Sequence, residues 1–148
     1  MKQASPLPIG PRAADFVSQD AIIHALYECI SGYAGQVRDW ERYRALFASE
    51  ARLVLSVVRA GERPYLRTLD VEGFIRRVEP IFAVQDFFED EVSRKSDTIG
   101  QMAHVLSAYE SRRAPGERAF ESGVNSMQLF HDAERWWIVT VMWNTTRG

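Results

Sequence analysis

The sequence predicts an α+β fold, with helices gathered on one side of a largely antiparallel sheet. Three observations carry that prediction. Residues 99–145 hold three long segments rich in β-branched and aromatic residues, separated by short polar breaks. The first half holds apolar stripes at helical spacing, each opened by a capping residue. The resulting order is helix, helix, hairpin, helix, then about four strands as a meander. A chain of 148 residues fits one domain.

Residues 1–14 carry three prolines and read as an extended N-terminal arm; residues 15–148 form the domain. Ser18 is placed to cap the first helix. Ala21, Ile22, Ala25, Leu26, Cys29, Ile30 and Tyr33 then form its apolar stripe, which Gly32 and Gly35 end. Asp39 caps a short second helix with Trp40, Tyr43, Leu46 and Phe47 on one face, and Arg38, Arg42 and Arg44 on its solvated side. Val54 to Arg59 is a strand, and Ala60-Gly61-Glu62 is turn chemistry. Tyr65 to Thr68 returns as an edge strand, because Pro64 suits only an edge.

Asp70 caps a third helix, with Leu69 and Phe74 spaced as a hydrophobic staple. Its stripe is Val71, Phe74, Ile75 and Val78, and Pro80 should stop it. Glu89 to Asp97 reads as a charged strand with a wet outer face, or as an edge strand protected by Arg94 and Lys95. Strict alternation along the last strand puts Trp136, Ile138, Thr140 and Met142 on one face. Trp137, Val139, Val141 and Trp143 fall on the other. Apolar residues on both faces call for two covers: the helices, and a second subunit in a homodimer through the outer sheet face.

Composition narrows the function classes. A net charge of −2 leaves no basic excess for nucleic acid. One cysteine, Cys29, excludes an internal disulfide and a cysteine-based metal cluster. No apolar run reaches the roughly 20 residues a membrane helix needs, and the first residues lack a signal-peptide core, so a cytoplasmic protein is expected. No phosphate loop, nucleophile elbow or metal-ligand spacing occurs, so neither cofactor nor metal is expected.

Tyr33, the run from Arg38 to Leu55 and the terminal Arg135-Trp136-Trp137-Ile138-Val139 together resemble the nuclear transport factor 2-like superfamily, and its SnoaL-like and ketosteroid-isomerase-like members. That resemblance implies a cone: a sheet curled around the helices, leaving a conical cavity. It also implies an Asp or His on the cavity wall as acid or base, with a Tyr or Asp donor. The chain departs from two family patterns. Leu53-Val54-Leu55 stands where the isomerase type has its aspartate base. Ala34 and Gly35 follow Tyr33, where the scytalone-dehydratase type has a Tyr-Asp pair.

Among titratable residues, His104 stands on a predicted strand in apolar company. It is either a general base or a neutral buried histidine. Asn125, Ser126 and Gln128 put three polar residues in one strand; they either bind a ligand or bond across strands. Asn125 and Ser126 face opposite ways, so at most one shares a wall with His104. The expected site has His104 and Tyr33 as catalytic residues. Asn125, Gln128, Trp40, Trp136 and Phe74 would hold a small hydrophobic ligand. The activity expected is isomerisation, dehydration or cyclisation of a hydrophobic carbonyl compound by proton transfer. The alternative is a non-catalytic ligand-binding or dimerisation module.

Overall fold

A computed structural model describes residues 10–148. Its helices are α1 (Gln19–Ile30), α2 (Trp40–Arg44) and α3 (Val71–Phe82). Its strands are β1 (Phe47–Val57), β2 (Tyr65–Leu69), β3 (Phe88–Ile99), β4 (Met102–Arg112), β5 (Glu121–His131) and β6 (Trp136–Thr145). They form one six-stranded sheet in the order β2-β1-β6-β5-β4-β3. Every pairing is antiparallel except β1 with β6, which is parallel, so the sheet is mixed as expected.

The three expected caps form. Ser18 accepts from the Ala21 amide, Asp39 from Arg42 and Asp70 from Gly73, at 2.7–3.0 Å. Each satisfies an amide that the first helical turn leaves unpaired. The α1 stripe buries Ile22, Ala25, Leu26, Cys29 and Ile30 against the sheet, together with Ile23 and Tyr27. Each large aliphatic side chain so buried stabilises the fold by about 1.5–3 kcal/mol.

The structure corrects several sequence expectations. Of the expected arm, residues 1–9 lie outside the described residues. Ala13–Phe16 is a short 3-10 helix, and its Asp15 is buried. Helix α1 stops at Ile30, so Tyr33 lies beyond it. Pro80 does not stop α3, which runs on to Phe82. A proline so near a C-terminus breaks only one late hydrogen bond. Arg38 and Arg42 are buried, not solvated. Arg38 donates to the carbonyls of Ile30, Gly32, Tyr33 and Gln36, satisfying the exit of α1. Arg42 holds Asp15 through two hydrogen bonds and Glu28 through a third.

The last strand departs from strict alternation. Gln128 pairs with Thr140 but Leu129 pairs with Ile138, so Val139 is an extra residue, a β-bulge. The bulge flips the phase, so Ile138 and Val141 are both buried and Trp143 joins the inner wall. The outer face there carries Thr140, Met142 and Asn144. The second apolar face is therefore not the one expected. It is made by Leu106, Val124, Phe130 and Met142, each 37–50% exposed.

Candidate active site

Residues from α1, α3, β1, β3, β4, β5 and β6 line one cavity of about 150 Å³. Strands stand about 4.8 Å apart, so five strands reach one small cavity only if the sheet curls around it. Most of its wall is apolar, including Leu26, Ile30, Leu53, Phe74, Val78 and Trp143. Its acids are Glu89 and Glu121, accompanied by Tyr27, Tyr109 and Asn125.

Glu89 is positioned from both sides. The Glu89 amide donates to the Ser31 hydroxyl at 3.0 Å, where Ser31 ends α1. Gly32 and Phe87 exchange two backbone hydrogen bonds beside it, at 2.7 and 2.9 Å. Across the sheet Glu89 pairs with Ser111, whose hydroxyl donates to Oε1 at 2.9 Å. Ser111 in turn pairs with Glu121 on β5, so the two acids flank one serine. Burial pushes the Glu89 carboxyl from 4.5 up to about 7, with Glu121 and Asp90 reinforcing the shift and Ser111 opposing it.

A chain of hydrogen bonds leads away from the cavity. The Asn125 amide nitrogen donates to Tyr27 Oη at 3.0 Å, and Tyr27 Oη lies 2.7 Å from Ser107 Oγ. Ser107 donates to Glu91, and Arg94 grips Glu91 through Nε and Nη2. Burial pushes the Tyr27 phenol up to about 12, so it keeps its proton at neutral pH. Burial also raises Tyr109.

The Tyr109 ring lies across Gly123. A Cβ there would stand 2.6 Å from Tyr109 Oη and 2.8 Å from Cζ, inside van der Waals contact. Only glycine lets the phenol lie down over β5. Gly123→Ala is expected to swing the ring away and cost about 1–3 kcal/mol as overpacking. A thermal melt read by near-ultraviolet circular dichroism checks both effects.

The residues expected at the site separate into groups. Asn125 and Phe74 line the cavity. Phe74 stands edge-on to Tyr43 and Trp143. His104 and Gln128 pair across β4 and β5 on the outer face, and His104 Nε2 lies 3.2 Å from Ser126 Oγ. The inward residues of β4 are Ala103, Val105, Ser107, Tyr109 and Ser111, which puts His104 out of phase with the hollow. His104 and Asn125 therefore do not share a wall. Tyr33 is 40% exposed, with its ring edge-on to Phe88, and it lies outside the cavity wall. Trp40 packs on Tyr43 and Phe82, and Trp136 on His131; neither lines the cavity. Sequence reasoning missed Glu89, Glu121, Tyr27 and Tyr109. An acid directly after the aromatic pair Phe87-Phe88 was the available signal for Glu89.

Comparison with known proteins places the fold. No protein-family model matches the chain, and no curated protein matches it. Solved structures do. A protein of unknown function with a cystatin-like fold from Nostoc punctiforme matches with a TM-score of 0.62 at 10% identity, over 86% of this chain and 92% of that one. An NTF2-like protein of unknown function from Methylobacillus flagellatus matches with a TM-score of 0.54 at 14% identity, over 86% and 94%. A candidate ketosteroid isomerase from Parabacteroides distasonis matches with a TM-score of 0.56 at 8% identity, over 92% and 98%. The chain thus has the fold of the nuclear transport factor 2-like superfamily. Among the described residues, no helix is long and apolar enough to cross a membrane.

Proposed function

We propose that the cavity binds a small hydrophobic carbonyl compound and that Glu89 moves a proton on it. The observation that carries this reading is a half-buried carboxyl group on the wall of a mostly apolar hollow, pushed by desolvation up to about 7. A general acid or base is most effective when its pKa lies near the operating pH. The chemistry is enolisation: the Glu89 carboxylate takes a proton from carbon next to a carbonyl, then returns it. Tyr109 lines the same cavity and would support the oxygen. Isomerisation, dehydration and cyclisation all proceed through such a step with no cofactor. The candidate ketosteroid isomerase of like fold agrees with this class without fixing the substrate.

The test is exchange of α-protons of 1-tetralone in deuterated buffer, followed by proton NMR. Wild type should catalyse exchange. Under this reading His104→Ala leaves the rate within about twofold, because its ring faces outward. Loss of exchange in His104→Ala, with a normal melting temperature, would return the catalytic role to the outer face.

A second reading concerns assembly and is compatible with the first. The exposed Leu106, Val124, Phe130 and Met142 favour a homodimer through the outer sheet face, with His104 and Gln128 as polar contacts inside it. Sedimentation at micromolar concentration should then give a dimer, and Leu106→Asp a monomer. A monomeric wild type would remove this reading and leave the proton-transfer proposal standing.

A further inference from the structure

We infer that the ligand is an anion: a carbonyl compound whose carboxylate is held by Arg77 and Arg147 while its apolar body fills the hollow. The inference rests on the cavity being the ligand site, and it names a charge that the role of Glu89 leaves open.

Both arginines reach the cavity on the same faces that build its apolar wall. On α3, Phe74 and Ile81 line the cavity, and helical spacing puts Arg77 on their face between them. Arg76, one residue earlier, is exposed and is not part of the wall. On β6, Trp143 and Thr145 line the cavity at alternate positions, and Arg147 continues that phase past the strand end. β5 and β6 pair only from His131 with Trp136 to Ser126 with Met142. Beyond that point Trp143 and Thr145 pair with β1, while the start of β5 stays with β4. Glu121 and Arg147 therefore line one cavity from strands that have parted, and they form no ion pair.

The positive charge there is not neutralised from within the protein. Arg77 Nη2 donates to the main-chain oxygens of Arg147 and Gly148, at 3.2 and 2.8 Å. Those two bonds use one nitrogen and hold residues 147 and 148 against α3. Among the described residues, Nε and Nη1 of Arg77 make no hydrogen bond, and neither does the Arg147 guanidinium. Burial pushes the Arg77 guanidinium below its ordinary value, and the like charges of Arg67 and Arg147 push the same way, with only the Tyr65 phenol opposing. Three guanidinium groups thus meet no carboxylate side chain, and an oxygen of Gly148 on one nitrogen does not balance them. The arginines do not act on Glu89 either, so acids and bases occupy separate parts of the wall. A chain of net charge −2 has gathered uncompensated positive charge beside an apolar cavity. A guanidinium is permanently charged, and its N–H fork matches a carboxylate. A ligand that uses the whole wall places a carboxylate on the arginines and turns its carbonyl toward Glu89.

The probes are 1-tetralone-6-carboxylate and its uncharged methyl ester, titrated calorimetrically at neutral pH into wild type, Arg77→Met, Arg147→Gln and Glu89→Gln. Wild type should bind the carboxylate at least about tenfold more tightly than the ester, the usual return on hydrogen bonds to a charged group. Arg77→Met keeps the apolar stem, removes the charge and should bring the two affinities within about twofold. Arg147→Gln should cut the preference about threefold. It also covers the case in which Arg77→Met fails to fold, since the Arg147 side chain has no hydrogen bond to lose. Equal or tighter binding of the ester by wild type would overturn the inference. So would failure of both probes to bind at millimolar concentration, acetate bound as tightly as the keto acid, or a preference intact in every folded arginine variant. Glu89→Gln keeps the preference if the inference holds, whether or not Glu89 proves to be the proton carrier. Proton exchange by wild type without any preference would remove this inference and leave the role of Glu89 standing.

Discussion

In Glu89→Gln the exchange of α-protons on a bound ketone is expected to fall about 10²–10⁴-fold, the usual contribution of a positioned acid or base. The same substitution should stabilise the protein at high pH. The folded Glu89 titrates at about 7, above its ordinary 4.5. Between those values the folded protein holds a proton that the unfolded chain has lost. Stability therefore falls as pH rises through that window, and the penalty is complete above about pH 7. Its upper limit is about 3 kcal/mol. Glutamine keeps the shape and accepts the Ser111 hydrogen bond without ionising. Urea denaturation should show Glu89→Gln more stable than wild type at pH 8 and nearly equal at pH 4.5. A carboxyl that destabilises its own fold is the energetic pattern common at functional sites. Equal stability of the two proteins at pH 8 would mean that the carboxyl is not desolvated.

The second large effect lies away from the cavity. Arg42→Ala is expected to cost about 3–5 kcal/mol, because it strands Asp15. Arg42 donates to both Asp15 oxygens at 2.8 and 3.0 Å, and to Glu28 at 2.6 Å. Asp15 is 6% exposed and Arg42 5%, so water cannot replace the lost partner. The pair ties the 3-10 segment to α1 and α2. Removing both charges, as in Asp15→Asn with Arg42→Met, should recover a good part of the loss, since no unpaired buried charge remains. Urea midpoints of the two single variants and the double variant measure this coupling directly. A double variant as unstable as the sum of its singles would contradict it.

The layer architecture was legible from the chain, and the candidate site was not, for a specific reason. Caps at Ser18, Asp39 and Asp70 and the β-rich last third are local signals, and they survive into the fold. Which way a strand residue points is local only while alternation is unbroken. Counting back along β3 from its turn at Gly100, strict alternation places Asp90 opposite Ser111. The observed partner is Glu89, because Val92 is an unpaired extra residue between Glu91 and Ser93. That bulge turns Glu89 inward, just as the bulge at Val139 turns Val141 inward. Neither bulge has a glycine or proline to announce it. On β4, where no bulge intervenes between Met102 and Ala108, His104 sits out of phase with Val105 and Ser107, and burial alone decided between its two faces. Arg38 and Arg42 were misread for a related reason. Arginine is solvated by default, and their partners lie in other elements: the exit of α1 and the 3-10 segment.

The account depends on Glu89 being a carboxyl withdrawn from water in a ligand cavity. Carbon-13 NMR titration of the glutamate side-chain carboxyls, with Glu89→Gln used to assign the resonance, tests that most directly. A midpoint near 7, moving higher in Ser111→Ala as the opposing hydrogen bond is removed, is the predicted result. A midpoint between 4 and 5, unmoved by Ser111→Ala, would show an ordinary solvated carboxylate and would contradict the assignment of this cavity as a proton-transfer site.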